Sequence, residues 1–444
     1  MKKRYMMAGL LVLLLVIAIT AVACGGGTAT TTTAASTGTT AASTGTTAAS
    51  TDTTAAPSTD TTGATPTSAA TGPATGKPIL VGFSNSLTGA AAAPGISSQN
   101  GVDLQVEIIN NNGGINGRPL KIVGADDKTD MAAAITNMTK MAETDKVDAF
   151  IGPFASFFLD AARGLAEKEQ IPMVGPGPAS LKSITGTQPK WSVETEASSP
   201  TQADALTKLI AKNGWKNILA MGDILQIHQE TLDLLVQGAA AGGYKITKMP
   251  YAPGMDSTDA TPFINKIKAQ YDSQKPDVIF LYVNSIISPA IFKGLSALGV
   301  HVPMQVSPAS AHPSFFAMGP EAVEGALVLD SAGIANPAGM PDTWPLKKMQ
   351  LEFAAAYKAK YNAEPDFFSA SGADLILVLA EAMKQAGDPT DKAKVAAALH
   401  NIKDFPTYEG VMTFTADDTS QGVKAGLVEW TVKGGQFTDP QIIN

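Results

Sequence analysis

Cysteine is nearly missing: the 444-residue chain has one, Cys24. No disulfide can form within it, even in a compartment that would permit one. Histidine is scarce as well. His228, His301, His312 and His400 lie far apart, without an HxH or HxxxH pair, and there is no second thiol, so no local metal-ligating motif is present. Excess positive charge is missing too. Lys and Arg number 32 against 40 Asp and Glu, a net charge of −8 with no basic patch, which argues against a nucleic-acid partner. Residues 25–76 contain no Val, Leu, Ile, Met or aromatic side chain. Such a tract cannot bury enough apolar surface to offset the entropy of ordering. Finally, no nucleophile–base pair is recognisable, so neither catalysis nor a cofactor is expected.

What is present begins at the N-terminus. Lys2, Lys3 and Arg4 precede the aliphatic run AGLLVLLLVIAIT and then small residues, the pattern of a secretory signal peptide over residues 1–23. The run is shorter than the roughly 20 residues of a membrane-spanning helix, which makes a permanent span the weaker reading. Ala21-Val22-Ala23-Cys24-Gly25 resembles the lipobox of bacterial lipoproteins, which implies cleavage before Cys24 and acylation of its thiol. A stray cysteine after an ordinary signal peptide is the weaker alternative. Removing the three cations of the signal peptide would take the charge from −8 to −11. Residues 24–77 then read as a tether, with AASTGTT at Ala34–Thr40, again at Ala41–Thr47, and AASTDTT at Ala48–Thr54. As a flexible chain it would span roughly 40 Å.

From Pro78 onward, short apolar runs alternate with longer helical patterns. ILVGF, LKIVG, DAFIG and IPMVG read as buried strands, separated by helices. One of these carries Val102, Val106 and Ile109 on a single face, and others lie at Met131–Glu143 and near Ser156–Glu169. The rhythm restarts after Pro200 with NILAMG, YKITKMPY, DVIFLYV, VPMQV and ALVLD. Alternating β and α elements predict an α/β fold with parallel sheets in two Rossmann-like lobes. The closing stretch, GVMTFTADD to WTVKGGQF, reads as antiparallel strands. NNGGING follows a helix and precedes a strand, the reverse of a phosphate-binding loop, and reads as a turn.

The ordered set PILVGFSNSLTGAAAAPG, GVDLQVEIINNNGGINGRPLKIVGADDKTD, DAFIGPFAS, IPMVGPGPAS, FAAAYKAKYNAEPD and SASGADLILVLAEAMKQAG resembles the type I periplasmic solute-binding proteins of ABC transporters, in the branch of the leucine/isoleucine/valine receptors. The resemblance covers Pro78 to Phe437. It implies a clamp with a three-segment hinge near Ser198, Ser331 and Phe405. Lobe 1 would hold residues 78–198 and 332–405, and lobe 2 residues 199–331 and 406–444. It also implies an exported monomer, lipid-anchored at the outer face of the membrane, that binds a small molecule and delivers it to ABC permease subunits. A ligand-sensing input for a sensor kinase or chemoreceptor is the alternative.

Candidate ligand contacts follow from the same loops. Ser86, Thr88 and Pro94 lie in the first loop, Phe154, Ser156 and Phe157 in the next, and Pro178 and Ser180 in the third. His228, Asn284 and Asp330 come from the second lobe. Ser156 is expected to cap a helix and to hold a carboxylate with the free N–H groups of that helix's first turn. The resemblance sets departures beside this. Ala179 replaces a threonine, with Ser180 one place off; Pro94 replaces an aromatic; Ile227-His228 replaces Tyr-Gly. Ile287 replaces the acid that pairs with the ligand's ammonium, and Asp330, Glu194 and Glu196 are the nearest substitutes, the two glutamates being expected at the surface. With Phe154, Phe157, Phe158, Ile227 and Ile287 nearby, the expected ligand is a small organic molecule, amino acid-like or an apolar or aromatic acid or amide, and not a simple branched-chain amino acid.

Overall fold

The computed structural model describes residues 72–177, 189–250, 253–254, 257–414 and 426–443, all within one unit, Thr67–Asn444. Cys24, the tether, Pro178, Ala179 and Ser180 lie outside the described residues.

Two open sheets organise the chain. The first contains β1 (Ile79–Asn85), β2 (Leu120–Asp126), β3 (Ala149–Ile151), β4 (Met173–Gly175) and β5 (Ser192–Glu194) in the order β2-β1-β3-β4-β5, every pairing parallel. Helices α1 (Ala92–Asn111), α2 (Met131–Glu143) and α3 (Leu159–Glu169) provide the crossovers. Val102 is fully buried on β1, with Val106 and Ile109 packed beside it, as their spacing predicts. The glycines of NNGGING take positive φ (Gly113, Gly114 and Gly117), which fits a turn.

The chain leaves this sheet after β5 and enters α4 (Ser199–Asn213), whose N-cap Ser198 accepts the Thr201 N–H. The second sheet then assembles from β6 (Asn217–Gly222), β7 (Lys245–Lys248), β8 (Val278–Tyr282), β9 (Met304–Val306) and β10 (Leu327–Ser331). Helices α5 (Gln226–Gly242), α6 (Thr261–Gln274) and α7 (Ser288–Ala297) lie between its strands. The tail completes it as a hairpin, β13 (Leu427–Lys433) and β14 (Gln436–Ile443), in the order β14-β13-β10-β9-β8-β6-β7, antiparallel only at β10-β13-β14. The strand at Ser192–Glu194 has no counterpart in the sequence reading; its three residues are too few for a period to stand out.

Between the two halves of the second lobe run α8 (Lys347–Tyr361), α9 (Phe367–Ala386), α10 (Lys392–Leu399) and the small hairpin β11 (Phe405–Pro406) and β12 (Val411–Met412). Helix α9 crosses the first lobe against α1 at close range. A Cβ at Gly101 would collide with the Ser369 carbonyl, and one at Gly372 with that of Ser98. Two bare positions thus let the helices touch backbone to backbone and hold the N-terminal turns of α9 in place. Residues 406–414, expected in the second lobe, behave otherwise. Met412 and Phe414 are fully buried in the first core with Ile79, Val81 and Leu379. The chain is therefore still part of the first core at Phe414, because the β11–β12 hairpin turns back to fill it, and it belongs to the second sheet again at β13.

Candidate ligand cleft

The carboxyl ends of both sheets border one cleft of about 950 Å³, its open mouth included. Ligands of open α/β sheets sit at this end of the strands. Pro94, Phe154, Ser156, Phe157, Pro176 and Glu196 line it from the first lobe; Leu225, Ile227, His228, Asn284 and Ile286 line it from the second. Helix α9 adds Phe367, Phe368, Ser371 and Leu375. Phe154 meets Phe368 edge-on at 5.7 Å, and Phe368 meets Phe367 at 5.2 Å, so the wall is largely aromatic.

Six of the expected contacts come together here: Pro94, Phe154, Ser156, Phe157, His228 and Asn284. Ser156 does so differently from expectation. The segment Ser156–Phe158 is a 3-10 turn ahead of α3, and its N-cap is Ala155, without a side-chain cap bond. The Ser156 hydroxyl is therefore not spent on capping, and the first N–H groups of the turn have no partner within it.

Three expected contacts lie elsewhere. The Ser86 hydroxyl donates to the Asp127 carboxylate at 2.6 Å, and that of Thr88 to Asp126 at 2.7 Å, knitting the loops after β1 and β2. Asp330 is fully buried, accepts the Trp430 indole N–H at 2.8 Å and the Ala335 N–H at 3.0 Å, and does not line the cleft. Burial pushes its carboxyl up to about 7. Ile287 is not at the ammonium position either. It is 1% exposed in the second core, where the turn leading into α7 points it inward, and Ile286 faces the cleft in its place. Phe158 is core as well, beside Ala134 and Ala155.

Neither glutamate is a surface carboxylate. Glu194, at the end of β5, is fully buried and forms an ion pair with Arg163 of α3. Glu196, two residues further on, lines the cleft and accepts the Ser371 hydroxyl at 3.0 Å. Desolvation pushes its carboxyl up to about 7, while the hydrogen bonds from Ser371 and the Gly177 N–H, and nearby His228, act in the opposite direction.

Other functional groups carry no signal in the sequence reading. Asp223, the first residue past β6, is fully buried. It bonds His228 Nδ1 at 2.7 Å and accepts the Asn284 N–H at 2.7 Å, which orients both residues. Gln202 of α4 lines the cleft at 4% exposure. Among the described residues, no three His, Cys, Asp or Glu could hold a metal.

A family model described as "Periplasmic binding protein" matches residues 78–436. The chain belongs to that family. It is a type I binding protein of the branch that the ordered motifs resemble, and the family consists of solute-binding proteins without enzymatic activity. Two relatives illustrate the branch. A Leu/Ile/Val-binding protein, BraC3, of Rhizobium johnstonii is 24% identical over 356 residues, 79% of this chain and 91% of that protein. A leucine-, isoleucine-, valine-, threonine- and alanine-binding protein of Pseudomonas aeruginosa is 25% identical over 361 residues, 79% of this chain and 90% of that protein. Among solved structures, an extracellular ligand-binding receptor from Rhodopseudomonas palustris HaA2 superposes with a TM-score of 0.72 at 23% identity, covering 81% of this chain and 99% of that one. LivJ of Streptococcus pneumoniae, solved with isoleucine, gives 0.69 at 23% identity over 83% of this chain and 99% of that one. These structures share the fold of this binding protein. Membership in the family implies an extracytoplasmic location, and no helix among the described residues is long and apolar enough to cross a membrane.

Proposed function

We propose that the protein is a lipid-anchored receptor that closes on an amino acid with an apolar or aromatic side chain and delivers it to an ABC importer. The observation that carries the ligand class is Glu196: a single carboxylate in the lining of a cleft whose walls are mainly aromatic and aliphatic, with a few neutral polar groups. The absence of an acid at position 287 is the charge-based motive for setting amino acids aside, and Glu196 of the first interlobe passage can supply that acid instead. A ligand ammonium would pair with Glu196, its carboxylate would meet Ser156 and the N–H groups of the 3-10 turn, and its side chain would lie against Phe154, Phe157 and Phe368. A cleft bounded by both lobes couples such contacts to hinge closure. The relatives named for leucine, isoleucine and valine support the same class. Delivery to a permease rests on the family, and the lipid anchor on the sequence around Cys24.

Calorimetry with L-leucine, L-phenylalanine and 4-hydroxybenzoate tests the ligand class. At least one of the two amino acids binds and the benzoate does not; the reverse result overturns the reading. For the anchor, Cys24→Ser releases the protein from membranes or leaves it unprocessed, whereas unchanged membrane retention and processing would refute acylation at Cys24.

A further inference from the structure

Gln202 is buried at the start of α4, and its side chain folds back along the chain. Its Nε2 donates to the Ala197 carbonyl at 3.0 Å, which fixes the amide, while Oε1 is shielded from solvent and accepts no hydrogen bond among the described residues. Buried acceptors are paired in nearly all native structures, so an unpaired one at a cleft invites a donor from the ligand. Ala197 also follows Glu196 directly. The anchored amide and the carboxylate therefore belong to the same few residues of the first interlobe passage, and both line the cleft. Glu196 receives one donor already, the Ser371 hydroxyl, and retains acceptor capacity. A primary ammonium carries three N–H donors and can serve two acceptors at once; a dialkylated ammonium carries one and cannot.

We infer that Gln202 Oε1 is a second ligand acceptor and that, with Glu196, it makes the receptor selective for a primary ammonium over an N,N-dialkylated one. This rests on the amino-acid reading above and assigns the residue that sets selectivity within it. Gln202 acts by direct contact, and Ala197 positions it.

The experiment is calorimetry of wild type and Gln202→Met with L-leucine, L-phenylalanine and the N,N-dimethyl derivative of each. Wild type prefers the primary amines. Gln202→Met, which preserves length and volume, weakens primary-amine binding about tenfold, the loss expected for one hydrogen bond, and changes dimethyl binding less than twofold. The preference ratio therefore collapses. Gln202→Leu gives the same ratio, which guards against a folding defect in either variant, since a structural fault lowers both affinities alike. Equal losses for both ligand types, or an unchanged ratio, overturn the inference and leave the amino-acid reading standing. Binding of none of the four probes by wild type overturns both.

Discussion

Two buried aspartates, one in each lobe, are each the first residue past a strand. Asp127 follows β2 and accepts the Ser86 hydroxyl, the Ser84 hydroxyl at 3.2 Å and the Thr129 N–H at 3.0 Å. Asp223 follows β6 and binds His228, the Asn284 N–H and the Leu225 N–H at 3.0 Å. The local chemistry is the same, yet Asp127 holds serines away from the cleft and Asp223 holds two residues in it. Strand order accounts for the difference. β2 is the edge of its sheet, so its loop is tied to β1 at the periphery; β6 lies inside, beside β8, and the loops of both strands face the cleft. Residue type alone does not decide whether such an aspartate serves a site or a scaffold.

Four substitutions sharpen or break this contrast. Asp223→Ala has the largest effect. It frees His228 and leaves the Asn284 N–H without its carboxylate, and each unsatisfied buried group costs about 1–3 kcal/mol. Ligand affinity therefore falls by about thirtyfold or more while thermal stability also drops. Ser156→Ala comes next, with about a tenfold loss of affinity and little change in stability. Asp127→Ala destabilises about as much as Asp223→Ala in a melting experiment, but the folded protein retains its affinity within twofold. Ser86→Ala changes affinity least. A marked loss of affinity in Asp127→Ala or Ser86→Ala would mean that the Ser86 end of the first loop reaches the ligand after all.

Much of the scaffold is legible in the sequence because it follows periodic burial. The helix at Met131–Glu143 and the strand at Asn217–Gly222 coincide with their patterns, and the closing hairpin is recognisable from its turn. The site is less legible because it depends on single-residue register and distant partners. Ile286 and Ile287 are chemically alike, yet the turn ahead of α7 sends one to the cleft and the other to the core. Glu194 and Glu196 are also alike. Only the fold reveals that Arg163 of α3 takes the first and that Ser371, at the start of α9, meets the second. Gln202 is equally silent in sequence, since its meaning lies in an oxygen left without a partner.

The central claim, that Glu196 receives the ligand's ammonium, is tested most directly by proton exchange on binding. Without ligand, burial holds the Glu196 carboxyl at about 7, so a fraction is protonated at neutral pH. An ammonium favours the ionised form and draws this pKa down. Binding measured at pH 7 in two buffers of different ionisation enthalpy therefore releases protons. Affinity rises with pH through about 7, levels off above it, and falls about tenfold per unit well below it. His228 faces the same carboxylate, so the control is its removal: the release persists in His228→Gln and vanishes in Glu196→Gln, which also weakens binding by about a hundredfold or more. Proton uptake on binding, or an affinity that climbs toward acid pH, would contradict the account, for it would show a protonated Glu196 donating to a ligand that brings no cation.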